Sequence, residues 1–374
     1  MADWQVAFVE SMVNPTGFFR VNDLTFSLVN SDEGPMSCEI PLGHPDLTPN
    51  LIGPYRTSYT IYRNGTIITG GIVNSINLNK DRDSLLVGGA DFLHYLKRRI
   101  YPFDPKLYVN GGWVDWPIRY RNLDTCEIAR RLINKMYDAD PAYSWPIFPH
   151  SGVGTGFHTS YKIYPADPTT IYDHIKALSE MGPDDGFEFA ISPVTLEFFM
   201  YPGGRDSGFT PYDYAPRWTE AGGALIDFDW NNIGPKGTWT LGLGTSQLNG
   251  KKMGATKTDV DNKAQFSRLD TVEDFGSVQD QKALDAMTDF QGSTNLGPER
   301  SLSLAVLNPQ FQVPNFYSGA GPRGMIGDRI HAEYDFEYRH VDAYFLVQAL
   351  NFNIDNSGNE EIEFELEMIP PRLA

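Results

Sequence analysis

The stretch that most restricts how this chain can fold is residues 57 to 69. Thr57 to Arg63 is a β-branched and aromatic run, Asn64-Gly65 supplies the two positive-φ positions of a type I′ turn, and Thr66 to Thr69 returns along the first run. A two-residue connection joins only antiparallel neighbours, so the first hundred residues are committed to a hairpin-based sheet. Gly70-Gly71 permits a bulge or tight bend before Ile72 to Leu78, where Ile72, Ile76 and Leu78 are expected on one face, with Asn74 beside them. Ser84 to Val87 is expected to close this sheet. From Asp91 to Ile100 the pattern predicts a short helix ending in Lys97, Arg98 and Arg99, cations suited to the negative end of a helix dipole. Pro102 and Pro105 then mark a first boundary near residue 100.

The middle third changes period. Asp124 and Glu127 stand at N-cap and N3 spacing before Ile128, Ala129, Leu132, Ile133, Met136 and Tyr137, a stripe at helical period. A linker of Pro and Gly follows from Pro141 to Gly156. Asp167-Pro168 then reads as N-cap and first residue of a second helix, with Ile171, Ile175 and Leu178 inward and Gly182 at its end. Phe187, Phe189 and Ile191 alternate, Ser192-Pro193 turns, and Leu196, Phe198 and Met200 alternate up to Pro202. Two helices against a hairpin therefore form the middle unit. Tyr201 to Gly223, rich in Gly, Pro and Tyr, marks a second boundary.

In the last third β patterning returns. Trp239, Leu241 and Leu243 alternate, Ser277 with Asp280 caps a helix running to about Gly292, and Leu302, Leu304 and Val306 alternate again. Ile330, Ala332, Tyr334 and Phe336 face one way, and His331, Glu333, Asp335 and Glu337 the other. Phe345 and Val347, a turn at Asn356 to Asn359, and Ile362, Phe364, Leu366 and Met368 complete an antiparallel meander with an acidic solvent face. The fold class is thus β-rich α+β. Two small antiparallel β-barrel-like domains, residues 1–100 and 223–374, the latter with one helix, flank an α+β middle domain, 101–222.

Composition narrows the function. At 374 residues the chain has room for two or three domains, and 41% hydrophobic residues against 21% charged exclude long disorder. Thirty Lys and Arg against 48 Asp and Glu give a net charge of -18, the wrong sign for a dedicated binder of phosphate backbones. Cys38 and Cys126 lie far apart and in no CxxC pair, so reduced, buried thiols are expected. The amino terminus carries Asp3 and Glu10 instead of a basic region, and no apolar run reaches the ~18 residues of a membrane span. A soluble chain made in a cytoplasm, without stable membrane insertion, is the expectation.

Sites of chemistry are sparse. Gly244 to Lys252 fails as a P-loop, because five residues separate Gly244 from Gly250 where four are needed and Lys252 stands where Ser or Thr must hold magnesium. Gly152, Gly154 and Gly156 lack the strand and capped helix of a phosphate loop. His150, Ser151, His158 and Asp167 are competent as triad or metal residues, yet no spacing enforces it, and His174 has no His partner one turn away. Cys126 falls on a helix first turn, where a small core residue is expected. Asp227 with Asp229, Asp259 with Asp261, and Asp81 with Asp83 lack the alternation and glycine of an EF-hand. No catalytic residue, cofactor or metal is expected. Tyr212, Tyr214 and Trp218 in the second boundary loop are candidate partner-binding aromatics, since such side chains give contact area at small entropic loss.

The order of these segments carries a resemblance. Tyr62-Arg63-Asn64-Gly65, Gly70-Gly71-Ile72-Val73 and Gly89-Ala90-Asp91 leading into a short basic helix resemble minor tail proteins of long-tailed bacteriophages. The capped helices, the second spanning Thr170 to Gly182, the Phe187 to Met200 hairpin, and Gly327-Asp328 entering the strand Arg329 to Glu337 are similar too, so the likeness covers most of the chain. The family is that of the baseplate hub, or tail-tip hub. The resemblance implies a virion protein at the phage tail tip. It would be a homotrimer whose two barrel-like domains per subunit make a pseudo-sixfold ring, with the middle domain outside. It also implies contacts with a distal tail protein or the tail-tube end, with the tape measure protein and with other minor tail proteins, and it carries over no catalytic residue. Glu333, Asp335 and Glu337 are the candidate acidic lining of a channel through which DNA slides without specific binding. The alternative is a phage-borne carbohydrate-binding protein or glycosidase acting on the host surface, which needs two opposed carboxylates in an aromatic-walled cleft.

Overall fold

The computed structural model describes residues 3–10, 17–48, 51–101, 108–109, 112–113, 117–139, 146–152, 154–165, 169–181, 186–202, 225–233, 238–245, 252–258, 269–276, 278, 280–296, 299–308, 326–327, 329–336 and 339–368. The first third gives strands β1 (Trp4–Glu10), β2 (Gly17–Phe19), β3 (Asn22–Val29), β4 (Pro35–Pro41), β5 (Thr57–Arg63), β6 (Thr66–Asn79) and β7 (Ser84–Asp91), then helix α1 (Leu93–Lys97). The middle gives β8 (Ile100–Tyr101), β9 (Tyr108–Val109), β10 (Gly112–Trp113), β11 (Ile118–Asp124), α2 (Thr125–Ala139), β12 (Phe148–Pro149), β13 (His158–Ile163), β14 (Thr169–Thr170), α3 (Ile171–Ser179), β15 (Phe187–Ile191) and β16 (Glu197–Pro202). The last third gives β17 (Leu225–Ile233), β18 (Trp239–Thr245), β19 (Lys252–Thr258), β20 (Asp270–Asp274), α4 (Gln281–Leu296), β21 (Glu299–Asn308), β22 (Arg329–Phe336), β23 (Arg339–Ile354) and β24 (Glu360–Met368).

The hairpin read from Asn64-Gly65 is present, with Arg63 opposite Thr66 and both turn residues at positive φ. Its bulge, however, falls at Ile68 and not at Gly70-Gly71. Those glycines answer to closeness instead: a Cβ on Gly71 would sit 2.0 Å from the Ala90 carbonyl oxygen. A second irregularity, between Val73 and Ser75, changes the reading of β6. The extra residue Asn74 reverses which side chains point which way. Before it, Ile72 and Val73 alternate into the two cores, and past it Ile76 and Leu78 emerge exposed instead of sharing the Ile72 face. β7 does not close the sheet either, since it lies inside it between β4 and β6.

The first and last thirds are joined, not separate as the sequence suggested. β3 pairs with β23, from Val29 opposite Ala349 to Leu24 opposite Ile354, so one twelve-stranded sheet runs β17-β21-β24-β23-β3-β4-β7-β6-β5-β1-β2, with β22 on β23. Phe8, Phe19, Ile40, Tyr59 and Ile61 from the first third and Phe345, Leu350, Phe364 and Leu366 from the last fill one core. Each fully buried apolar side chain of this kind contributes roughly 1.5–3 kcal/mol. The sheet curls around that core. Five strands separate β24 from β5 in the hydrogen-bonded order, yet Glu360 on β24 accepts from Arg63 Nε and Nη2 on β5, both at 2.9 Å, and from the Trp4 indole at 2.8 Å.

A second core holds the middle third. On α2, Ile128, Ala129, Leu132, Ile133 and Met136 are buried and Tyr137 half-buried, as the stripe predicts, and Asp124 accepts from the Cys126 amide at the helix start. The cap of α3 lies three residues later than the sequence indicated. Thr170 accepts from the Asp173 amide and Asp173 accepts in return from the Thr170 amide, a capping box. Asp167, Pro168 and Gly182 lie outside the described residues. The linker after Pro141 contains β12, which pairs in parallel with β16, and the β15–β16 hairpin has the expected register, Phe189 opposite Met200.

Asp280, just before α4, accepts from the Ala283 amide, Ser277 lies outside the described residues, and the helix runs four residues past Gly292. It packs on β18 in an unexpected way. Trp239, Leu241 and Leu243 are only half-buried, while Thr240, Gly242 and Gly244 point inward. A Cβ on Gly242 would meet the Thr288 hydroxyl at 2.0 Å, so small residues here let helix and sheet backbones approach closely. Val278, Ala283, Leu284 and Met287 thereby complete the second core.

Candidate functional site: a carboxylate ladder on the last hairpin

From Glu360 to Glu367 burial alternates strictly along β24. Ile362, Phe364 and Leu366 are buried in the first core, and Glu361, Glu363, Glu365 and Glu367 stand on the opposite side, half-buried or exposed. Successive glutamates on one face of a strand lie roughly 6.7 Å apart, so four carboxylates span about 20 Å. At that spacing in water, neighbours repel by about 0.6 kcal/mol each. β23 supplies the amides that hold the row: Asn351 Nδ2 donates to Glu365 at 2.8 Å and Glu363 at 3.4 Å, Asn353 donates to Glu361 at 3.5 Å, and Gln348 donates to Glu367. In register on the other side, β21 places Ser301 and Ser303 opposite Glu367 and Glu365. The result is a concentrated negative stripe held by neutral donors.

The sequence placed its acidic face one hairpin earlier. Glu333 and Asp335 lie on β22, in register with Asp342 and His340 of β23, and Glu337 lies outside the described residues. Tyr212, Tyr214 and Trp218 also lie outside them. The β24 row was legible as an acidic meander face, and the backbone pairing with an Asn-bearing neighbour is what makes it a continuous feature.

The other candidates do not converge. His150 sits 3.7 Å from Glu197 and stacks on Phe199, His158 faces the Gly156 carbonyl, and His174 is buried between the Tyr161 and Thr169 hydroxyls. Asp167 is outside the described residues. Among the described residues no cluster of three metal-ligating side chains occurs. The Gly154-containing loop is already filled by protein: Asp124 accepts from the Gly156 amide at 2.7 Å where a phosphate would have to sit. The ends of the P-loop-like segment lie on antiparallel strands, Thr245 of β18 opposite Lys252 of β19, so a strand and not a helix follows it. Burial pushes the Cys38 and Cys126 thiols up to about 12, so neither is a thiolate near neutrality. A cleft lined by Asn22, Asp23, Glu39, Arg82, Ser84 and Asn356 does bring two carboxylates together. Glu39 there accepts from Ser84 and from Arg82, which hold its carboxyl below the usual range, and Arg82 also pairs with Asp23 at 3.4 Å. No described helix is long and apolar enough to cross a membrane.

No protein-family model matches the sequence, and no curated protein matches it. Solved structures do, and the class they define is that of bacteriophage tail proteins, whose fold this chain has. The tail protein of Neisseria meningitidis MC58 matches at a TM-score of 0.64 and 15% identity, over 97% of this chain and 96% of that one. The 43 kDa tail protein of prophage MuSo2 from Shewanella oneidensis matches at 0.57 and 11% identity, over 98% and 97%. Prophage tail protein gp18 from Listeria monocytogenes EGD-e matches at 0.54 and 8% identity, over 96% and 94%. At such identities the likeness is one of fold, and function has to be argued from the surfaces.

Proposed function

We propose that the chain is a structural virion protein at the tip of a long phage tail, a baseplate hub that works by assembly and not by catalysis. The likeness to tail proteins over nearly the whole of both chains carries this reading. Three copies would form a ring in which the barrel-like parts from residues 1–100 and 223–374 alternate and the middle part, 101–222, lies outside. The ring would join a distal tail protein or the tail-tube end to other minor tail proteins, with the tape measure protein above it. The loop bearing Tyr212, Tyr214 and Trp218 is assigned to partner contact.

The acidic wall of the exit channel is assigned to the β24 ladder, Glu361, Glu363, Glu365 and Glu367, together with Glu333, Asp335 and Glu337 of the preceding hairpin. Negative charge there repels the phosphate backbone, so the genome slides instead of sticking. The glycosidase alternative draws less support, because in the cleft where two carboxylates meet both Asp23 and Glu39 are tied to Arg82, and none of the described residues that line it is aromatic. The test is virions carrying Glu361→Lys, Glu363→Lys, Glu365→Lys and Glu367→Lys together. They should assemble with normal tails yet eject DNA slowly or incompletely, more so at low salt. Ejection at the wild-type rate would remove the ladder from the channel.

A further inference from the structure

β11 and β13 form a two-stranded sheet whose faces differ. Tyr120, Thr159, Tyr161 and Ile163 are buried beneath it, while Arg119, Arg121, Ser160 and Lys162 stand on the outer face, half-buried or exposed. Arg119 lies directly opposite Lys162, and a bulge sets Arg121 and Asn122 together against Ser160, whose hydroxyl accepts from the Asn122 amide at 3.4 Å. Cross-strand partners lie about 5 Å apart and next-but-one residues roughly 6.7 Å, so the three cations share one patch.

Such a cluster is unusual in an acidic chain. Arg63, Arg82, Lys97, Arg130 and Arg131 each meet a carboxylate at 3.1 Å or closer, whereas Arg119 and Arg121 make no ion pair or hydrogen bond among the described residues. Asp124 is the one acid in either strand, and its carboxylate accepts from the Cys126 and Gly156 amides at 2.9 and 2.7 Å. Like charges set directly opposite one another destabilise a sheet. Burial pushes the Lys162 amine below its usual value, and the charges of Arg119 and Arg121 push it further. The uncompensated charge favours an anion from outside the chain.

The donors define that anion. One carboxylate brings a single charge, whereas a phosphomonoester carries about -1.5 to -2 at neutral pH and offers three strong acceptor oxygens. Guanidinium forks match those oxygens in pairs, and Ser160 and the exposed Asn122 add neutral groups suited to the hydroxyls of a sugar. A bilayer fits poorly, since the outward residues of both strands are polar and the chain as a whole, at a net charge of -18, repels an anionic surface. We propose that Arg119, Arg121 and Lys162 bind the phosphate group of a sugar phosphate. The site goes beyond the tail-tip reading and does not depend on it.

Calorimetric titration of the full chain tests it with three probes: glucose 6-phosphate, glucuronate, and vesicles of equimolar phosphatidylglycerol and phosphatidylcholine. Glucose 6-phosphate should bind at least roughly tenfold more tightly than glucuronate, which carries a carboxylate on the same kind of ring, and more weakly as salt is raised. Arg119→Gln with Arg121→Gln should weaken that binding by roughly tenfold or more, with an unchanged circular dichroism spectrum and a Tm no lower than the parent's, because both side chains are exposed and their removal relieves repulsion. Lys162→Gln alone should give a smaller loss in the same direction. Arg20→Gln, which removes an 82% exposed cation on another strand, should leave the affinity as it was. Equal binding of glucuronate, binding of the vesicles without glucose 6-phosphate, wild-type affinity in the double variant, or no binding of glucose 6-phosphate would each overturn the assignment.

Discussion

Replacing Glu360 should open the curled sheet where its distant strands meet. Its side chain is 5% exposed and accepts three N–H groups, two from Arg63 and one from Trp4, while the guanidinium itself, 22% exposed, also lies over the Trp4 ring at 5.8 Å. Truncating one member of a buried pair strands the other charge and costs about 3–5 kcal/mol. Because Arg63 keeps some water, Glu360→Ala is expected at the low end, about 3 kcal/mol, and Glu360→Gln, which retains an acceptor but not the charge, at about 1.5 kcal/mol. Arg63→Met with Glu360→Met removes both charges together and should recover at least half of the loss, a coupling of about 1.5 kcal/mol or more. Urea unfolding followed by far-ultraviolet circular dichroism reads all three. If Glu360→Ala lay within about 0.5 kcal/mol of the parent chain, the pair would be behaving as a surface ion pair, and the closure of β24 onto β5 would be wrong.

Three further outcomes are expected. Gly71→Ala forces a methyl into the Ala90 backbone and should cost about 3 kcal/mol, read as a fall in Tm; an unchanged Tm would show that β6 and β7 are not so close. A thiol reagent at pH 8 should titrate neither Cys38 nor Cys126 until denaturant is added, since burial pushes both up to about 12, and rapid reaction of either in the native chain would contradict their burial. Burial raises the Asp32 carboxyl, but the hydrogen bond and charge of Lys97, at 2.5 Å, outweigh it and leave the group below its usual 3.8. A lowered carboxyl stabilises above its unfolded value and loses that contribution as pH falls through the folded one, so Tm should drop below about pH 4. Asp32→Asn should flatten part of that drop, and an identical acid slope would refute the pairing.

Much of the fold was legible because local signals agreed with tertiary ones. Asn64-Gly65 fixed a hairpin, the α2 stripe fixed a buried face, and Phe187 to Met200 fixed a register. What was not legible depends on residues brought from afar. The bulge at Asn74 reverses the facing of Ile76 and Leu78, and no propensity marks a single extra residue in a strand. The β18 alternation misled because α4 approaches so closely that glycine and threonine, not leucine, face inward. Two β-rich thirds separated by the whole middle third gave no sign that β3 would pair with β23 and merge their cores. Of the acidic site, the composition of β24 was plain. The hydrogen bonds that tie it to Asn351 and Asn353 came only from the structure.

The central claim is a place in the virion, and labelling tests it most directly. Antibodies raised against the purified chain, bound to intact virions and visualised with gold by electron microscopy, should mark the tail end distal to the capsid, one cluster per particle. Label along the shaft, at the capsid, or on no particle that reacts in a denatured blot would contradict a tail-tip hub.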